Sequence, residues 1–210
     1  MTIGDVPSAA PVDADATGDA PRASRELLDA ALAHAIAGLA HDLRNALGVV
    51  SMQVEVIAVR AASASPDVAG IAANAAVAAD HIERLAEMTN ALIAFARGRT
   101  SSDLSVIVSE AAALVPLRHV SVSWSGVVTV DVDPVLTRAV ALEVLVLALE
   151  SRTPPTFRVA TDLAGSTLEV NVGRRLVADE SLEWVVQFRL AGGKIASTDD
   201  GLRLHFPPIA

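Results

Sequence analysis

The sequence predicts an α+β fold in two parts. An antiparallel helical hairpin pairs with a second copy into a dimeric four-helix bundle, and an α/β sandwich layer follows it. Three observations carry this expectation. From Ser24 to about Ala62, apolar residues recur by threes and fours without a break, the spacing of one long amphipathic helix. A turn of Ser63-Ala64-Ser65-Pro66-Asp67 then leads into a second pattern of the same kind. After Gly98 the texture changes to short alternating runs separated by Pro and Gly, the mark of strands mixed with short helices.

The elements follow in order. Met1 to about Arg22 is rich in Ala, Asp, Pro and Gly without periodicity and is expected as a disordered tail, residues 1–22. Residues 23–99 form the hairpin. Ser24 is the expected cap of its first helix, with Glu26 favourably placed in the first turn. On that helix Leu28, Leu32, Ile36, Leu39, Leu43, Leu47, Val50, Val54 and Ile57 share one stripe. Ser65 caps the second helix, Pro66 takes its first position and Gly98 stops it after Arg97. Its apolar face is read as Ile71, Ala75, Ala78, Ile82, Leu85, Thr89 and Ile93. Two helices cannot hide two such stripes from water. A second copy, completing four helices, is the expected cover, and the C-terminal half is the alternative.

Residues 100–210 are the α/β part. Leu104–Val115 is expected as a helix, Val120–Trp124 and Val127–Val132 as strands. Asp133 and Pro134 cap and open a helix that runs to about Ser151, before Pro154-Pro155. Phe157–Thr161 and Thr167–Val172 read as strands and Ser181–Ala191 as a helix stopped by Gly192-Gly193. Lys194–Ala196 and Leu202–Phe206 are the closing strands.

Composition narrows the function. The chain has 210 residues and 52% apolar content, ample for a core, with only 3% aromatics. No Cys is present, which excludes disulfides, thiolate zinc sites and Cys nucleophiles. A formal charge of -9 opposes sequence-independent binding to nucleic acid, which needs a basic surface. The most apolar run, Val135–Leu149, is short and contains Arg138 and Glu143, so no membrane span is expected. The first residues lack the basic start and apolar core of a signal peptide, and a cytoplasmic location is the expectation.

The most informative residues are His41-Asp42-Leu43-Arg44-Asn45. At about 100° per residue, His41 and Asn45 sit one turn apart on the side away from the apolar stripe, with Gly48 and Met52 beside them. An imidazole held on a rigid helix outside the core seam is placed to meet another molecule, and neutral imidazole is a good nucleophile toward phosphorus. His34, His81, His119 and His205 have no such setting and no metal-ligand spacing. Trp124 and Trp184 read as packing anchors, Asn74 and Asn90 as polar helix positions, and Arg174-Arg175 as a solvated strand end.

From about Ser24 to Pro207 the chain resembles the core of bacterial sensor histidine kinases. His41-Asp-Leu-Arg-Asn-Ala-Leu47 resembles the H-box of their dimerisation and phosphotransfer domain, with Ala46 where that family has Pro. Ile82-Glu-Arg-Leu85 through Leu92–Arg97 is similar to the family's second helix, and Asp133-Pro134 and Gly192-Gly193-Lys-Ile195 resemble landmarks of the ATP-binding domain. The nucleotide motifs depart from the family. Its N-box, Asn-x-x-x-Asn-Ala, aligns with Glu143 to Ala148, so Glu143 and Leu147 replace both Asn ligands. Its first glycine box aligns with Asn171-Val-Gly-Arg-Arg175, and almost no chain lies between Leu176 and Leu182 for an ATP lid.

The resemblance therefore implies a kinase-derived histidine phosphotransferase whose ATPase-like domain is degenerate. It would pass phosphoryl groups between receiver-domain aspartates in a two-component phosphorelay, taking them from an upstream hybrid kinase. His41 would be the nucleophile, Asp42 would orient its ring or take its proton, and Arg44 would steady phosphate charge. Asn45 matches the residue that positions water when such proteins dephosphorylate a receiver. Gly48 and Met52 would touch the docked receiver. No cofactor of its own is expected, and Mg²⁺ would come with the receiver. The alternatives are a non-catalytic dimeric scaffold that binds a kinase or response regulator and, third, an atypical ATP-dependent histidine kinase.

Overall fold

A computed structural model describes residues 19–97, 102–115, 120–124, 128–151, 153–162 and 165–207. Most of the expected tail, the Gly98 stop, His119 and the start of the Val127–Val132 strand lie outside the described residues. The element order is α1 (Asp19–Ala61), α2 (Val68–Ala96), α3 (Leu104–Ala112), β1 (Ser121–Trp124), α4 (Pro134–Leu149), β2 (Thr156–Asp162), β3 (Gly165–Asn171), α5 (Glu183–Leu190), β4 (Lys194–Ser197) and β5 (Gly201–Phe206). The architecture is mixed: a helical N-terminal part and a five-stranded sheet with helices.

Helix α1 has 43 residues, about 64 Å of continuous rod. It begins at Asp19, so Ser24 is not its cap but a buried residue within it. The cap of α2 is Asp67 rather than Ser65: its carboxylate accepts from the Gly70 backbone N–H at 3.0 Å, while Arg60 of α1 donates to the other oxygen at 3.3 Å. That ion pair closes the hairpin and sets its register.

The face of α2 that packs inward is not the one expected. Every buried or half-buried residue from Ile71 onward falls at 71, 74, 78, 81, 85, 88, 91, 92 or 95, a seam of alternating threes and fours. This is a 3.5-residue period, the seam of two helices packed nearly antiparallel. Asn74 and His81 occupy it beside Ala78, Leu85, Met88 and Phe95, which conceals the pattern in the sequence. Their Nδ2 and Nδ1 atoms are buried without a hydrogen-bond partner. Ile82 and Ile93, read as core-facing, point outward instead.

In α1 the tightly buried residues are Leu27, Leu28, Ala31, Ala35, Leu39 and Ala46, so the expected stripe is rotated and partly left outside. Ile36, Leu47 and Val54 of α1, with Ile82 and Ile93 of α2, are 45–56% exposed. In the antiparallel register Leu47 is level with Ile82 and Ile36 with Ile93, on one side of the seam. The hairpin alone thus keeps an apolar face in water.

The sheet order is β1-β2-β3-β5-β4; β1 and β2 are parallel and the other neighbours antiparallel. The parallel pair requires a crossover, and α4 supplies it. Phe157, Val159, Leu168, Val170, Leu202, Leu204 and Phe206 point to the helical side, while Thr156, Arg158 and Arg203 face solvent. Helix α4 is apolar nearly all round because the sheet, α3, α5 and α1 all pack on it. Its start follows expectation: Asp133 accepts from the Val135 N–H and Pro134 takes the first turn. Residues 128–132 do not form a strand, only an isolated bridge between Asp103 and Thr129. Helix α5 ends as expected, with Gly192 at φ +85° and the Gly193 N–H bonded to the Phe188 carbonyl. Trp184 and Trp124 divide: the first is buried, the second lies half exposed on edge strand β1. Among the described residues no helix is long and apolar enough to cross a membrane.

Candidate functional site

His41 lies midway along α1, with about 20 helical residues on each side to hold its backbone. His41, Arg44, Asn45, Gly48 and Met52 are all exposed. Positions 41, 45, 48 and 52 follow the i, i+4, i+7, i+11 spacing, so the four share one solvent-facing row. A Cβ built on Gly48 meets nothing within 4 Å, so the backbone there is open to a partner. The exposed apolar face bearing Leu47 and Val54 is about a third of a turn away around the helix, so a molecule covering that face leaves the His41 row clear.

Asp42 does not join this row. About 100° further round, it is half-buried and lines a cleft of about 320 Å³ with Gly38, Leu39, Leu114, Leu142 and Leu145. Its carboxylate is turned toward the C-terminal layer, and Arg44 is exposed on another side of the helix.

The first half of α1 is where the C-terminal layer docks. His34, two turns before His41 and so nearly on the same side, has Nδ1 3.2 Å from Oε2 of Glu143 on α4. Sequence reasoning read His34 as an ordinary surface or half-buried residue, and its side chain is indeed about half exposed. Its partner is 109 positions away, and no local pattern points to it. The pair ties the helix that carries His41 to α4.

Where the resemblance expects a nucleotide, a cleft of about 410 Å³ lies between α4, the segment before α5, and α1. Glu143, Glu150, Asp179 and Glu183 line it together with Leu147, and His34 is its one basic residue. The backbone N–H and hydroxyl of Ser181 both donate to Asp179, which holds its carboxyl below the usual carboxylate range and therefore ionised near neutral pH. Four carboxylates around an apolar wall repel a polyphosphate, and among the described residues no Lys or Arg lines the cleft to offset them. Among the described residues no group of three or more His, Cys, Asp or Glu side chains is arranged to hold a metal ion.

No family model matches the chain, and no curated protein matches it. Solved structures similar to it include a bacterial phosphotransferase determined at 1.7 Å, 16% identical, with a TM-score of 0.43 over 93% of this chain and 98% of that one. Another is the Acinetobacter baumannii histidine kinase AdeS, 12% identical, with a TM-score of 0.39 over 81% of this chain and 98% of that one.

Proposed function

We propose that the chain is a histidine phosphotransferase that relays phosphoryl groups between receiver-domain aspartates through His41 and does not use ATP. The observation that carries the reading is the row of His41, Asn45, Gly48 and Met52, exposed on one long helix and open at Gly48; the cleft lined by Glu143, Glu150, Asp179 and Glu183 supports the absence of ATP from the reaction.

In the forward step an imidazole nitrogen of His41 attacks phosphorus of an aspartyl phosphate on the docked receiver. The N–P bond forms as the acyl P–O bond breaks, and the aspartate leaves as carboxylate. The second receiver's aspartate reverses the step. An acyl phosphate and a phosphohistidine are both high-energy, so no nucleotide is consumed. Mg²⁺ travels with the receiver. Arg44 steadies the phosphoryl charge and Asn45 positions water when the receiver is to be dephosphorylated. Asp42, next in the chain to His41, orients the ring or takes its proton.

The chain acts as a homodimer in this reading. The apolar face of Ile36, Leu47, Val54, Ile82 and Ile93 pairs with its copy to complete four helices, leaving both His41 rows outside. Leu47→Glu combined with Ile82→Glu is expected to halve the mass seen by light scattering to the 21.7 kDa of one chain. A wild-type chain that is already monomeric at micromolar concentration would overturn the dimer.

Nucleotide is tested by calorimetry. Mg-ATP and Mg-ADP at millimolar concentration are expected to release no binding heat; micromolar affinity would restore the kinase alternative. The reading itself stands on transfer: the wild-type chain, without nucleotide, is expected to take labelled phosphoryl from receiver domains charged with acetyl phosphate.

A further inference from the structure

The cleft between α1, α4 and α5 has a property that phosphotransfer at His41 does not use. Its lining includes the apolar residues Leu27, Ala30, Leu147, Val177 and Leu182. Leu182 is also the first of an exposed row that continues on α5 through Val186 to Leu190, the last of which is 76% exposed. These residues are four apart, so the row runs about 12 Å along α5. Cleft and row share Leu182 and make one elongated apolar strip.

Glu143, Glu150, Asp179 and Glu183 line the cleft end of the strip. His34 in the cleft is engaged with Glu143, and Arg189 on α5 with Glu180. A strip two helical turns long with carboxylates at its cleft end is complementary to a helix that is apolar on one side and basic on its flanks.

We infer that this strip is the docking groove for a basic amphipathic helix of another protein. The other available occupants have the wrong charge. The first 18 residues of this chain contain Asp5, Asp13 and Asp15 and no Lys or Arg. A second copy carries a formal charge of -9 and the same carboxylates. The inference is independent of the phosphotransfer reading: it uses none of the His41 row, and its test has no phosphoryl step.

The protein contains its own reporter. Trp184 lines the cleft, and the other Trp, Trp124, lies on β1 at the sheet edge opposite β4, against which α5 packs. In full-length Trp124→Phe protein, Trp184 is the single tryptophan. It is to be titrated at 150 mM salt with an 18-residue, Trp-free Leu/Lys amphipathic helix and with its Leu/Glu counterpart.

The Lys peptide is expected to shift Trp184 emission saturably at one peptide per chain. Leu182→Glu and Val186→Glu, both at exposed positions, are each expected to weaken binding at least tenfold with unchanged far-UV circular dichroism. Val106→Glu, an exposed apolar position on α3, should bind as the parent does. Three results would each overturn the inference: no response of Trp184 to the Lys peptide, equal binding of the Glu peptide, or equal binding by both groove variants. A change in Trp184 emission with protein concentration alone would assign the strip to a second copy instead.

Discussion

His41→Ala is expected to abolish the relay while leaving the molecule intact. A charged receiver should transfer no acid-labile phosphoryl group to the variant, and receiver-to-receiver exchange should fall by about 10³-fold or more, the scale seen when a sole nucleophile is removed. The backbone has no reason to respond: His41 is exposed in mid-helix, and Ala is the better helix former. Far-UV circular dichroism and dimer mass should therefore match the parent. Asn45→Ala separates two chemistries on the same row, retaining transfer and losing receiver dephosphorylation. If the His41 variant relays at the parent rate, phosphotransfer is wrong and the scaffold reading takes its place.

Arg138→Ala should be the most destabilising single change outside that row. Arg138 is 1% exposed, the largest fully buried side chain among the described residues. Its Nη2 donates to Glu110 of α3 at 2.6 Å, and its guanidinium carbon lies 5.2 Å from the Phe95 ring centroid at the end of α2. One side chain on α4 thus joins the hairpin to the C-terminal layer. Truncating a side chain this deeply buried leaves a cavity and costs about 2–5 kcal/mol, while the Glu110 carboxylate left behind is 31% exposed and partly solvated. In a chain of this size that lowers Tm by roughly 2–4 °C per kcal/mol, so a drop of about 10 °C is expected in a thermal melt. Arg138→Met restores the volume without the charge, and should recover part of the loss when paired with Glu110→Gln. A shift under about 2 °C for Arg138→Ala would show that the buried pair contributes little.

Some of this was open to reading in the sequence. The three-and-four spacing of α1 and α2, the Asp133-Pro134 start of α4 and the Gly192-Gly193 stop of α5 are local signals, and each element is present. The row of His41, Asn45, Gly48 and Met52 is likewise a matter of helical spacing alone. The inner face of α2 was not readable, because its seam contains Asn74 and His81 while its outer face offers Ile82 and Ile93. Hydropathy ranks the outer face higher; only the position of α1 makes the other one the seam.

The same limit governs Arg138 and His34. In the sequence Arg138 is a charge that argues against a membrane span, and His34 an ordinary surface or half-buried residue. Their roles depend on Glu110 and Phe95, and on Glu143, which are distant in the chain and adjacent only once α4 is laid between the sheet and α1. The sequence by itself determined the helices, the Asp133-Pro134 start of α4, the Gly192-Gly193 stop of α5 and the direction His41 faces along its own helix, because those follow from backbone geometry within a few residues. The tertiary structure alone decided which apolar face is core and which is left to water, that Asp42 turns toward the C-terminal layer, and that the cleft of Glu143 and Leu147 is ringed by carboxylates. Those outcomes depend on contacts between segments far apart in the chain, which no local period encodes.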